Sequence, residues 1–305
     1  MHNLEQYDAV DITGEVIDVR NALGIPDEVN IEGKDYKVNH PRQVVVFAKP
    51  TDLHKFVVDR WIQAASDSQG GHIIPTGGTY EPIYAEAARR KMNVSPLLTH
   101  RDISNLDEVW PIREGDVNMP LTYIVYRNTR VVEPLGLSEE QCIIPDGRTD
   151  NPHHEVVIFE RKLAIREWGF AMMGIGPDEK NVAGRIIPAS PHIGFIPRGT
   201  SPEQTAMFIQ LDEGTIFASS REAPDPDHFF THAITQGPGD IKRAERHLLA
   251  ATGGQKMSNI RDVLFGPVDV DIPATHVLLY PETTIVLDIE SAQLVQAQIA
   301  NLPEK

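Results

Sequence analysis

At 305 residues, with 41% hydrophobic and 24% charged side chains, the chain can bury a real core as one large domain or two small ones. Its formal net charge of -16 argues against a general nucleic-acid or anionic-membrane surface. An acidic N-terminus without an apolar core segment, no apolar run near the ~20 residues that cross a bilayer, and a single cysteine, Cys142, predict a cytoplasmic protein without signal peptide, membrane span, internal disulfide or CxxC zinc site.

Residues 1–40 show no strong periodicity and read as an N-terminal arm that wraps the domain or joins a homo-oligomer contact. From Pro41 to the end, short apolar runs alternate with longer amphipathic ones. That alternation predicts a single α/β domain over 41–305, a doubly wound, mostly parallel, Rossmann-like sheet with helices on both faces. Gln43 to Ala48 (QVVVFA) is a buried-strand signal, and Thr51 is placed to cap a helix carrying Leu53, Phe56, Val57, Trp61 and Ala64 at helical spacing. His72–Pro75 reads as a second strand, followed by TGGT and a helix opening near Pro82. A further strand is placed around Ile103. Glu155–Trp168 is predicted helical, Phe170–Met173 and His247–Ala251 extended, Gln255–Leu264 helical, and Thr284–Asp288 a last strand before a helix from Ser291.

Ligands of open α/β sheets bind where strand ends lead into helix starts, and four loops fall at such places. Thr76-Gly77-Gly78-Thr79 offers two glycines for close backbone approach and flanking hydroxyl donors. Alone it is equally a simple strand-to-helix turn, and it lacks the GxGxxG and GxxxxGKT patterns of dinucleotide and P-loop sites. Asp107 and Glu108 in NLDE are adjacent carboxylates that extended backbone points to different sides, one free to face a pocket while the other makes a structural contact. Gly174-Ile175-Gly176-Pro177-Asp178 leaves a buried strand and ends in a carboxylate, as a catalytic turn or an ordinary one would. Gly253-Gly254-Gln255-Lys256 puts a lysine in the first turn of a helix, where the dipole opposes it and an anionic partner would account for it.

Taken in order, PTGGT, NLDE, GIGPD with the later His192-Ile193-Gly194-Phe195, LDEGTIFASSR, AITQGPGDI, GGQK and TIVLDIESA resemble the glucosamine-6-phosphate deaminase family over residues 41 to 300. The resemblance implies a sugar-phosphate aldose–ketose isomerase or amino-sugar-phosphate deaminase acting by proton transfer between C1 and C2. It implies Asp107 as the base, Asp178 and His192 as the pair assisting ring opening, and Thr76, Gly77, Gly78, Thr79, Glu108 and Lys256 around a sugar phosphate or related anionic sugar. No metal or other cofactor is expected.

Three departures point to altered specificity. Thirteen residues, Glu179 to Pro191, separate Asp178 from His192 where the family has one glycine. Pro197 stands where the deaminases keep a glutamate, and Met207 where they keep a phosphate-clamping arginine, leaving Arg198 or Arg221 as candidate replacements. Two other classes stay open: a phosphosugar lactonase, whose family shares GPD, and a non-catalytic sugar-phosphate sensor. The sensor reading finds neither helix-turn-helix nor basic face in residues 1–40.

Overall fold

The computed structural model describes residues 14–17, 27–39, 41, 43–176, 179–182, 185–188, 191–220 and 223–301. Its centre is an eight-stranded sheet. From edge to edge the strands are Glu15–Ile17, Gln43–Phe47, Thr283–Asp288, Arg246–Ala251, Trp168–Gly174, Gly71–Ile74, Ile103–Asn105 and Cys142–Ile143. All pairings are parallel except the first, where Glu15–Ile17 runs antiparallel to Val44–Val46.

The strand period of two divides the apolar residues between two faces. Val45 and Phe47 join one core with Leu53, Val57 and Trp61 of the helix Pro50–Asp67, together with Ile74, Ile103 and Phe170. Val44 and Val46 join the other with Ile73, Leu249 and Ile285, covered by Ile260, Val263 and Leu264 of the helix Met257–Phe265 and by Phe159 and Leu163 of the helix Pro152–Ala164. Both faces are therefore buried, as a near-continuous run such as QVVVF requires. Full burial of one such side chain contributes ~1.5–3 kcal/mol.

The strand order creates a crevice. After Gly71–Ile74 the chain fills one side of the sheet through Ile103–Asn105 and Cys142–Ile143. After Trp168–Gly174 it fills the other through Arg246–Ala251 and Thr283–Asp288. These two neighbouring strands therefore send their exit loops in opposite directions, which opens a cleft at their carboxyl ends.

Several boundaries differ from the sequence-based expectation. The helix expected over Glu155–Trp168 runs Pro152–Ala164 instead, with the Asn151 side chain accepting from His154 N at 3.1 Å and Pro152 in its first turn. Trp168 opens the next strand and ties its indole N–H to Leu163 O at 3.2 Å. Thr51 caps nothing; Lys49 occupies the cap position and Pro50 starts the helix. A three-stranded antiparallel sheet, Met207–Gln210, His232–Thr235 and Asp107–Trp110, stands beside the main one and sets the register Thr235 opposite Asp107. Within the long insertion, Glu179–Val182 and Arg185–Pro188 pair as an antiparallel ribbon.

Candidate active site

The loops at the cleft enclose a cavity of about 400 Å³. Pro75–Thr79 forms one wall, its carbonyls held by Tyr84 Oη on Pro75 O (2.7 Å) and Tyr126 Oη on Gly77 O (3.1 Å). Gly77 has φ +123°, a conformation open to glycine and rarely to other residues. A Cβ on Gly77 or Gly78 would meet no protein atom within 4 Å, so the space over this backbone is open to a ligand. Across the cavity Thr79 Oγ1 lies 3.3 Å from Thr252 Oγ1, in the loop that continues to Lys256. That loop turns at Gly253 (φ +87°), whose N–H is gripped by both oxygens of Asp288, the last residue of TIVLD, at 3.2 and 2.9 Å.

Asp107 lines the floor at 4% exposure. Its Oδ1 accepts from Thr235 Oγ1 and from Phe195 N (3.2 Å). Burial pushes its carboxyl up to about 7, against the pull of those two donors. Gly194, at φ +55°, passes so close that a Cβ there would sit 2.9 Å from Asp107 Oδ1.

The third wall is Ile175 and Gly176, which leave the Trp168–Gly174 strand, with His192 beside them. Gly176 N donates to His192 O (2.9 Å), and His192 Nδ1 contacts Gly194 O. The ring rests directly on Gly176, where a Cβ would come within 2.7 Å of Nε2. Lys256 stands at the start of the helix Met257–Phe265 and its Nζ donates to Ile175 O. Among the described residues lining the cavity, Asp107, His192 and Lys256 carry the titratable carboxylate, imidazole and ammonium.

The cavity thus brings together Asp107, His192, Thr76, Gly77, Gly78, Thr79 and Lys256. Glu108 corrects the expectation that it binds substrate. It is 1% exposed and does not line the cavity; its oxygens are taken by the backbone N–H groups of Val109 (2.8 Å), Tyr123 (2.9 Å) and Ile124 (2.8 Å). The reason is the strand alternation that turns it away from Asp107. Asp178 and Arg221 lie outside the described residues. Arg198 is exposed and donates to Asp271 O at 2.7 Å, away from the cavity, and Met207 sits in the antiparallel sheet without lining it. Sequence reasoning missed Tyr123 and Phe195, whose rings stack at 5.6 Å and 22°, and also Thr215 and Ser219. The last two lie in LDEGTIFASSR and Phe195 ends HIGF, so three of the four were inside segments already singled out. Among the described residues no group of three His, Cys, Asp or Glu side chains could hold a metal ion, and no helix is long and apolar enough to cross a membrane.

This architecture is shared with solved structures of one class, the sugar-phosphate deaminases and phosphogluconolactonases. A monomeric glucosamine-6-phosphate deaminase superposes with a TM-score of 0.72 at 25% identity, covering 82% of this chain and 99% of its own. The 6-phosphogluconolactonase of Trypanosoma cruzi reaches 0.63 at 14% identity over 85% and 98%, a likeness of fold alone. No family model matches the chain. The glucosamine-6-phosphate deaminase of Bacillus velezensis is 30% identical over 222 residues, 72% of this chain and 85% of that protein, and that of Listeria monocytogenes 28% identical over 73% and 86%. The chain belongs to the glucosamine-6-phosphate deaminase family, and so to a family of enzymes.

Proposed function

We propose that residues 41–305 form one catalytic unit that binds a phosphorylated amino sugar in this cavity and moves a proton between C1 and C2, with Asp107 as the base. The observation that carries the proposal is the Asp107 carboxyl itself: buried at the cavity floor, fixed through Oδ1 by Thr235 and Phe195, and pushed up to about 7. A base acts best when its pKa lies near the working pH and it sits within reach of the carbon acid, shielded from water. In the open-chain sugar the carboxylate takes the proton from C2, the C–H pair forms the C1–C2 double bond, and the π pair of the C1 carbonyl moves to its oxygen, which takes up a proton. The carboxylic acid then returns a proton to C1 as the lone pair on the C2 nitrogen closes to a C=N bond. With an amine on C2, the imine so formed adds water and leaves as ketone and ammonia.

Lys256 and the Thr76–Thr79 loop supply the cation and the donors for the anionic group, and His192 serves ring opening together with Asp178. Family membership supports these roles, as does the meeting of Asp107, His192, Lys256 and the TGGT loop around one cavity. The proposal is tested by incubating the protein with glucosamine 6-phosphate and measuring ammonia. Turnover that Asp107→Asn lowers by about 10²–10⁴-fold supports it. Ammonia release by the Asp107→Asn variant at the wild-type rate refutes it.

A further inference from the structure

Among the polar groups lining the cavity that the roles above leave without a task is the Tyr123 phenol, the one braced against the ring of Phe195. Its hydroxyl lies beside the Thr76 side chain and near enough to Asp107 for the carboxylate to disfavour its ionisation. Burial is the larger influence, and both push the phenol pKa up. Tyr123 therefore stays a neutral O–H, a donor wherever the enzyme works.

How the phenol reaches that place is written into the neighbour of the base. Tyr123 and Ile124 open the short helix Tyr123–Arg127, and their N–H groups have no partner within it. Glu108 supplies the acceptors, Oε1 to Tyr123 N at 2.9 Å and Oε2 to Ile124 N at 2.8 Å, while Oε1 also takes Val109 N at 2.8 Å. A carboxylate has two acceptor oxygens and no donor, which suits three converging N–H groups. Consecutive strand residues face opposite ways. Asp107 thus turns into the cavity, while Glu108 turns behind it and grips the helix that brings Tyr123 round to Asp107. The two carboxylates of NLDE act on the same spot from two sides.

We propose that Tyr123 contacts the substrate, donating a hydrogen bond from its phenol to a sugar oxygen beside Asp107, and that Glu108 is the positioning residue that holds Tyr123 there. This rests on the cavity being the substrate site. An oxygen that gains negative charge as the proton leaves carbon is the acceptor that gains most from a fixed neutral donor.

The test uses the full chain with glucosamine 6-phosphate and three variants. Asp107→Asn tests the cavity reading alone: a loss of turnover upholds it, and unchanged turnover overturns it together with what rests on it. With that reading upheld, Tyr123→Phe keeps the ring and its stacking but lacks the donor. It is expected to lose about tenfold or more in kcat/KM at an unchanged Tm. Wild-type kcat and KM in Tyr123→Phe overturn the assignment of Tyr123 and leave the cavity reading standing. Glu108→Gln offers one acceptor oxygen and sets an NH₂ against a backbone N–H. It is expected to lower kcat/KM in the wild-type background and to have little further effect in Tyr123→Phe. Equal losses in both backgrounds would show Glu108 acting independently of Tyr123 and overturn its positioning role. Should Glu108→Gln not fold, Glu108→Asp in the same two backgrounds is read in the same way.

Discussion

Replacing Asp107 by asparagine separates the part proposed for this side chain in the reaction from what it costs the fold. Its carboxyl stands at about 7 in the folded chain against an ordinary 3.8, chiefly because it is buried. Between pH 4 and pH 7 the folded state is therefore the better proton binder, and stability falls as pH rises through that window. Each tenfold in proton affinity is ~1.4 kcal/mol, so the ionised group costs the fold up to roughly 4 kcal/mol above pH 7, and roughly 2–3 kcal/mol of that accrues between pH 5 and pH 8. Asparagine keeps an Oδ1 for Thr235 Oγ1 and Phe195 N and has no proton to lose. The stability of Asp107→Asn relative to wild type should thus rise by about 2–3 kcal/mol from pH 5 to pH 8, while turnover falls by about 10²–10⁴-fold. Urea unfolding of both proteins at the two pH values measures the first quantity. A stability difference that does not change with pH would refute the reasoning, because the buried carboxyl would then titrate as an exposed one.

The pH profile of kcat/KM should show an acid limb near 7, with activity lost as pH falls and Asp107 takes up its proton; a limb near 4 in steady-state rates would contradict this. Lys256→Ala should raise KM for a phosphorylated substrate by about tenfold or more with little change in Tm, since it removes a charge-assisted contact at a helix start; an unchanged KM removes Lys256 from the site. Gly176→Ala places a methyl 2.7 Å from His192 Nε2, so the imidazole must shift. A misplacement near 1 Å costs about 100-fold in rate, and a kcat equal to wild type would deny His192 a part in the reaction.

The TGGT and GGQK loops were legible because their geometry is local: Gly77 and Gly253 adopt φ values that glycine tolerates, and sequence order displays this directly. The strand QVVVF was legible because burial on both faces leaves a run with no polar alternation. Asp107 stood out in NLDE, but which of the two carboxylates would face the cavity depends on the antiparallel register with His232–Thr235, a pairing more than 100 residues away. The resemblance puts Glu108 with the substrate, and it is that same register that turns it away. Its partners are backbone N–H groups, which no residue type advertises. Tyr123 reaches the cavity through the intervening loop after Trp110 and through the grip of Glu108, so nothing in its own neighbourhood signals the role. Trp168 reads from sequence as the end of the preceding helix because an aromatic residue fits either period until the sheet claims it.

The most direct measurement of the central claim is turnover of glucosamine 6-phosphate in deuterated water, with product and recovered sugar examined at C1 and C2. A base that carries the proton between these carbons exchanges it with solvent during its time on Asp107. The wild-type protein should place deuterium at C1 or C2, and Asp107→Asn should give neither turnover nor label at the wild-type rate. Product formed without label at either carbon, at a rate that Asp107→Asn leaves unchanged, would contradict it.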